Sequence, residues 1–379
     1  GFPRSDITHP NIRFQQTRVT QRDMLRLDST PLKYHRDEST GQFTPELDPK
    51  HGFKRQWSLK KLLGSHENAH IAFTLSVQSA MGAFLMLVLG GWLNVSSVTE
   101  YAASAAWLPT LGVMLVLMSF GLFKLNMHLG KPHRFYRGFN NWRLSPVSRE
   151  IVGVSLFFGG LAGYAFFNLF PAFPLAYLLK PVSAGAGLLG LSIGGYYMIK
   201  LYRIPARPFW NHWHTDAAFV GTAFSLGGLL IALTALVFGV LTAKLAGLLA
   251  SIICFGLLLE AIGLLAHARD LKAARSEGAA SFYEQTTTYG YPYWLRNALL
   301  GLSLLLAGSI AVTGNLLLLA PLALTALTAA ILGRALFYVL VIPTTMPGAF
   351  FWRNRGFEEH ARETGLAKMP QVGVLPTTH

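Results

Sequence analysis

The chain has 379 residues, of which 52% are hydrophobic and 13% charged, and its formal net charge is +14. That balance lies outside the range of an ordinary soluble domain and reads as an all-helical, polytopic membrane protein. The single cysteine, Cys254, excludes an internal disulfide and an iron–sulfur cluster held by this chain, which needs about four thiolates; inside an apolar run a lone thiol acts as a small hydrophobe.

Residues 1–65 carry five prolines, 12 basic and 7 acidic residues and no sustained apolar period. They cannot build a core alone, so they are expected to form an extended cytoplasmic segment that drapes over a partner. They also lack the apolar core of a secretory signal, and a start on Gly rather than Met points to a processed product or the distal piece of a longer chain. "SLKKLLGSHENAH" follows as an amphipathic turn, with Lys60 and Lys61 placed for anionic head groups.

Windows long enough to cross a bilayer, about 20 apolar residues each, fall at 68–93, 104–127, 148–169, 175–199, 215–239, 245–266, 297–314 and 317–342. Eight transmembrane helices in a unit spanning 66–345 are therefore predicted, followed by a cytoplasmic tail at 346–379. The seventh and eighth are separated only by "VTGNLLLLAPL", where Gly314, Asn315 and Pro321 mark the turn. Gly159 and Gly163 in the third span have the GxxxG spacing that permits close helix contact.

Of the 32 Lys and Arg residues, all but Lys180, Lys244 and Arg334 fall before the first span, in alternate loops, or after the last. An even number of helices puts those segments on one side together with both termini, and the positive-inside bias makes that side the cytoplasm of a bacterial inner membrane. Topology thus accounts for the charge, and no nucleic-acid partner is expected. Trp142, Phe209, Trp210, Trp213, Tyr289, Tyr291, Tyr293 and Trp294 collect at the same boundary as an interfacial belt.

None of the 12 histidines lies mid-span or on the outer side, which argues against stacked haems held at two depths. A haem b quinol cytochrome using His66, His70 or His214 is the rival reading. A transporter is disfavoured, since no repeat of broken helices surrounds a midplane site. His128 closes the second span, where an imidazole can donate to a quinone carbonyl and exchange a proton near neutral pH. Lys124 shares its helix face. The chain then runs through Arg134, Arg137 and Arg143 to Glu150, placed in the first turn of the third span with Ser148 as its cap. From the residues alone, two roles for His128 and Glu150 stay open: a proton-exchanging pair beside a lipid-accessible pocket, or a structural pair anchoring a short loop. Lys124, Arg134 and Arg143 would tune the electrostatics there or contact phosphates or a partner. Glu260 and Arg334 are charges within spans, and a mutual ion pair is expected because lone intramembrane charges are costly.

"HENAHIAFTLSVQSAMGAF", "MHLGKPHRFYRGFNNWRLSPVSREI", "RIPARPFWNHWHT" and "LGRALFY" together resemble the membrane-anchor subunit of dimethyl sulfoxide reductase, the DmsC-like family, from about His66 to Tyr338. The resemblance implies an eight-helix anchor, not catalytic by itself, for a ferredoxin-type four-cluster iron–sulfur subunit and a molybdopterin catalytic subunit. It implies electron exchange with menaquinone or ubiquinone and no haem. The family's quinol-site histidine falls on His128 and its loop glutamate on Glu150. Residues 1–58 depart from the family and look like the tail of the iron–sulfur subunit, so a fusion, or an anchor that has captured that tail, is expected. With the basic loops, His128 and Glu150 on the cytoplasmic side, the chain looks closer to the anchors of quinone-reducing sulfite dehydrogenases than to an anchor for S- or N-oxide reduction.

Overall fold

The computed structural model describes residues 32–36, 43–47, 51–54, 56–205, 207–274 and 277–340. Most of the predicted N-terminal segment and all of the predicted tail at 346–379 lie outside the described residues. Ahead of the helices, within the predicted extended N-terminal segment, lies a short antiparallel hairpin, β1 (Leu32–Arg36) and β2 (Phe43–Leu47), with Tyr34 opposite Pro45.

Among the described residues, eight helices are long and apolar enough to cross a membrane: α1 (Asn68–Trp92), α2 (Trp107–His128), α3 (Pro146–Leu169), α4 (Ala176–Lys200), α5 (His214–Val237), α6 (Ala243–Ala273), α7 (Gly290–Thr313) and α8 (Leu319–Val339). The turn between α7 and α8 forms where the sequence placed it. Gly314 adopts φ +66°, a conformation that side chains disfavour, and the Asn315 side chain accepts from Leu317 N at 3.1 Å to start a 3-10 turn.

Two helices outrun their apolar windows. α6 continues to Ala273 because "HARDLKA" holds no Gly or Pro to stop it, so His267 and Asp270 are helical. α7 begins at Gly290 rather than near 297, which draws Arg296 into the helix, where it is buried. The cap of α3 also differs from expectation: the Ser145 side chain accepts from Ser148 N at 3.4 Å and Pro146 takes the first helical position. Glu150 accordingly sits in the second turn, one step farther from the helix dipole's end.

α1 is the hub of the bundle and packs against α2, α5 and α8. α3 and α4 form the most closely packed pair. A side chain at Gly153 would overlap the backbone of Gly194, and one at Gly160 the backbone of Gly187. The expected small-residue contact therefore exists one residue out of register: Gly160, not Gly159, faces the neighbouring helix, while Gly163 meets Ser183. Such contacts set the spacing on which the site depends, since α3 carries Glu150 and α4 leads into Tyr202.

The predicted interfacial turn is the helix Leu59–Leu63, capped by Ser58. Leu62 is fully buried, Trp57 N donates to Thr288 O at 2.9 Å, and the Trp57 ring lies 5.1 Å from that of Tyr289. The segment before α1 is thus clasped to the loop before α7.

Candidate functional site

The loop from α2 to α3 holds the residues that the sequence marks out. After His128 it turns through a 3-10 helix, Pro132–Phe139, that rests on α3 where Gly138 meets Ile151. Arg149 fixes the rest of the loop. Its Nε donates to Trp142 O at 3.0 Å, Nη2 to Arg143 O, and Nη1 to the Tyr197 hydroxyl at 3.0 Å. Sequence reasoning passed over Arg149 as one of several loop cations. Its position four residues into a capped helix was the available signal, because there its guanidinium can reach back over the turn that precedes the helix.

His128 is exposed at the end of α2 and Lys124 is half-buried one turn before it. Arg134 and Arg143 are exposed, and the Arg143 guanidinium lies 5.8 Å from the Trp142 ring centre. Glu150 is only 8% exposed, and among the described residues no hydrogen-bond donor reaches its carboxyl. His128 and Glu150 do not touch directly; from His128 a file of side chains leads to Tyr202, on which the charge of Glu150 acts.

The His128 ring packs edge-on against His70 at 4.9 Å, and His70, held by Glu67 through Nδ1 at 3.1 Å, lies 5.6 Å from Tyr338. The hydroxyls of Tyr338 and Tyr202 are 3.1 Å apart. Burial, the neighbouring Tyr338 and the charge of Glu150 all push the Tyr202 hydroxyl well above the usual tyrosine range, so it stays a neutral donor. Glu150 also acts electrostatically on Tyr338. Tyr202 and Tyr338 are therefore the members that sequence reasoning missed, while His70, singled out there only as a haem candidate, lies in the same file. Tyr202 and Tyr338 come from chain segments 136 residues apart, and no local spacing announces that they meet.

A second polar group lies deeper, between α5, α6, α7 and α8. Glu260, Arg296, Arg334 and His214 line a cavity of about 20 Å³. The expected contact between Glu260 and Arg334 is not a direct pair: Arg334 Nη2 donates to Gln78 Oε1 at 2.8 Å and to Thr222 Oγ1 at 3.3 Å, and its guanidinium lies 3.8 Å from the Phe219 ring centre. Hydrogen-bond acceptors on α1 and α5 and an aromatic face have taken the guanidinium. Glu260 Oε1 instead shares the surface of Gly333 with Arg296 Nη1, at 3.6 and 3.7 Å from where a side chain there would begin. Arg296 had been read as a loop cation.

A third feature is apolar. A crevice of about 230 Å³ opens between α1, α4 and α5, lined by Gln78, Met81, Met198 and Phe219 among others. Phe219 connects it to the polar file, its ring 5.6 Å from that of Tyr202. Along one face of α1, His70, Thr74, Gln78 and Met81 lead from the membrane boundary into this crevice.

No curated protein matches the chain. The family model of the DMSO reductase anchor subunit (DmsC) matches residues 62–340, which takes in all eight long helices, the His128–Glu150 loop and the Tyr202–Tyr338 contact. The chain therefore belongs to the DmsC family and is a multi-pass membrane-anchor subunit of the dimethyl sulfoxide reductase type.

Proposed function

We propose that this anchor binds a quinone at its basic face and relays electrons between that quinone and an iron–sulfur cluster of a partner subunit. The observation that carries the reading is the buried carboxyl of Glu150, free of donors among the described residues, whose charge acts on Tyr202 at the inner end of a file that runs through Tyr338 and His70 to the boundary residue His128. A bound quinone supplies the coupled electron and proton chemistry. The chain supplies the hydrogen-bonding groups, the proton exchange and the dry surroundings.

His128 is suited to donate from a ring nitrogen to a carbonyl oxygen and to exchange a proton with water. Glu150, screened from solvent, holds or releases the second proton at the other end of the file. Neutral Tyr202 can donate without itself becoming charged. Lys124, Arg134 and Arg143 raise the positive potential over the entrance, and their exposure keeps that effect modest. The crevice along α1 offers an isoprenoid tail an apolar bed reached from the lipid.

The basic face is assigned to the cytoplasm of a bacterial inner membrane, with both termini there. The partners are a ferredoxin-type four-cluster subunit and a molybdopterin catalytic subunit docked on that face. Electrons and protons then meet the quinone on one side, so the anchor is not electrogenic. Sulfite oxidation with quinone reduction fits that arrangement best.

The test is turnover of the intact complex carrying His128→Ala, with quinone and, separately, with a dye that bypasses the anchor. Loss of quinone turnover with dye turnover and assembly preserved supports the site; unchanged quinone turnover removes it and leaves the loop a docking element.

A further inference from the structure

The second polar cluster is walled by helices that cannot approach each other further. A side chain at Gly221 of α5 would begin 2.5 Å from Gly256 O of α6, and one at Gly263 would begin 2.8 Å from Ala217 Cβ and 3.6 Å from the His214 ring. Gly256 and Gly263 flank Glu260 on α6, so α5 and α6 are in contact on both sides of that carboxyl. The space between these two helices, α7 and α8 therefore cannot close by a nearer approach of α5 to α6. It persists as the cavity of about 20 Å³ lined by His214, Glu260, Arg296, Gly333 and Arg334 among others.

Two atoms of that lining lack a partner. His214 is 5% exposed and Arg296 4%, and among the described residues nothing bonds His214 Nδ1 or Arg296 Nε. Buried polar atoms are rarely left unpaired. Arg296 Nε can only donate, the Glu260 carboxylate can only accept, and His214 Nδ1 donates or accepts according to its tautomer. A molecule that serves all three must both accept and donate. Water does so; an inorganic anion has no hydrogen to give to Glu260, and an apolar filling would serve none of them. A cavity must offer roughly 10–15 Å³ to hold a water, so this one takes a single molecule. Buried waters typically make about three hydrogen bonds, which matches the groups that face this space.

We propose that this cavity is the binding site of one internal water, which accepts from Arg296 Nε–H, donates to the Glu260 carboxylate and bonds His214 Nδ1. His214 comes from α5, Glu260 from α6 and Arg296 from α7, so a single molecule joins three helices. It gives α7 a polar tie to α5 close to the end of α7 that follows Thr288 and Tyr289, where the segment before α1 is clasped through Trp57. His128 and Glu150 take no part, so this site stands apart from the quinone reading.

Gly333 offers a way to displace the water without disturbing its partners. A Cβ there lies 3.6 Å from Glu260 Oε1 and 3.7 Å from Arg296 Nη1, both ordinary contacts, and Gly333 lines the cavity. Gly333→Ala therefore puts a methyl group into the space. The assay is the temperature at which the tagged anchor aggregates when the detergent-solubilised intact complex is heated. In a dry cavity the methyl fills a void and alanine favours the helix over glycine, so the temperature rises. With the water present, the methyl expels it and strands His214 Nδ1 and Arg296 Nε. The temperature is then expected to fall by about 2 °C or more, while Gly308→Ala, on α7 where nothing lies within 4 Å, does not lower it. A cryo-electron microscopy map of the unaltered complex that resolves ordered waters is the second measurement and needs no variant. It is expected to show one density within hydrogen-bond reach of Arg296 Nε, His214 Nδ1 and Glu260. An unchanged or raised temperature in Gly333→Ala, a fall no larger than that of Gly308→Ala, or a cavity empty in the map overturns the proposal. So does a native complex that loses stability when chloride is exchanged for a bulky organic anion, which puts an anion in the cavity instead.

Discussion

Glu150→Gln isolates what the buried carboxyl does. The amide has nearly the volume of the acid, and no donor among the described residues reaches the native carboxyl, so no hydrogen bond is broken and no cavity opens. Stability should change by less than about 1 kcal/mol, in keeping with a substitution that creates neither a void nor an unpaired partner. The proton function is removed outright, and a positioned acid or base is worth about 10²–10⁴-fold in rate. At about 1.36 kcal/mol per decade that corresponds to ~2.7–5.4 kcal/mol of barrier. The assay is quinone-linked turnover of the purified complex, with dye-linked turnover as the control for assembly. Glu150→Leu should match the Gln variant in rate, because both lose the same proton site. Quinone turnover within about threefold of the native value in either variant, far short of the hundredfold floor, refutes the role given to this residue.

Arg149→Gln removes charged donors to Trp142 O, Arg143 O and the Tyr197 hydroxyl, each worth about 1.5–3 kcal/mol when the donor is a cation. Limited proteolysis should then cut faster between α2 and α3, and the iron–sulfur partner should dissociate more readily during purification. Gly160→Leu forces α3 away from Gly187, and overpacking of this kind costs about 1–3 kcal/mol or more. It should lower the thermal inactivation temperature and reduce quinone turnover as well, because Glu150 and Tyr202 depend on the α3–α4 spacing. Tyr202 should resist ionisation. Its raised value means that the neutral form persists as pH climbs past about 10, where an exposed tyrosine titrates, so Tyr202→Phe should remove none of the phenolate absorbance that appears there. A loss of absorbance near pH 10 would show the hydroxyl to be in contact with water.

The helices were legible because the bilayer imposes a length on apolar runs, and six of the eight were placed within a few residues of their ends. The two misjudged ends, at α6 and α7, share a cause. Polar helix formers continue a helix beyond the membrane boundary, and hydropathy alone cannot see them. That error hid His267 and Arg296, both helical and buried. His128 and Glu150 stood out because a short polar loop brackets them. The intervening Tyr202 and Tyr338 were not legible, since each reads locally as an ordinary helix-end residue and acquires meaning only when α4 and α8 converge. The Glu260–Arg334 expectation was right about cost and wrong about contact: economy of charge requires that the two lie near one another, but Gln78 and Thr222 were closer partners for the guanidinium.

Arg334 connects the two polar regions. On one side it lies in the cavity with Glu260 and Arg296; on the other, its charge acts on Tyr338 and Tyr202, which also feel Glu150. Glu260 thus lies beside two guanidinium groups, Arg296 and Arg334. Intramembrane charges are costly singly, and two cations beside one carboxyl let it lose or gain a proton while part of its electrostatic support remains. The same guanidinium is bonded to Gln78 on α1 and stacked on Phe219 of α5, so the residue that balances the charges also ties the central helix to its neighbours. A change of proton occupancy at Glu260 therefore acts on the packing of α1, α5 and α8 through one side chain, and α1 is the helix whose boundary end holds His70 against His128.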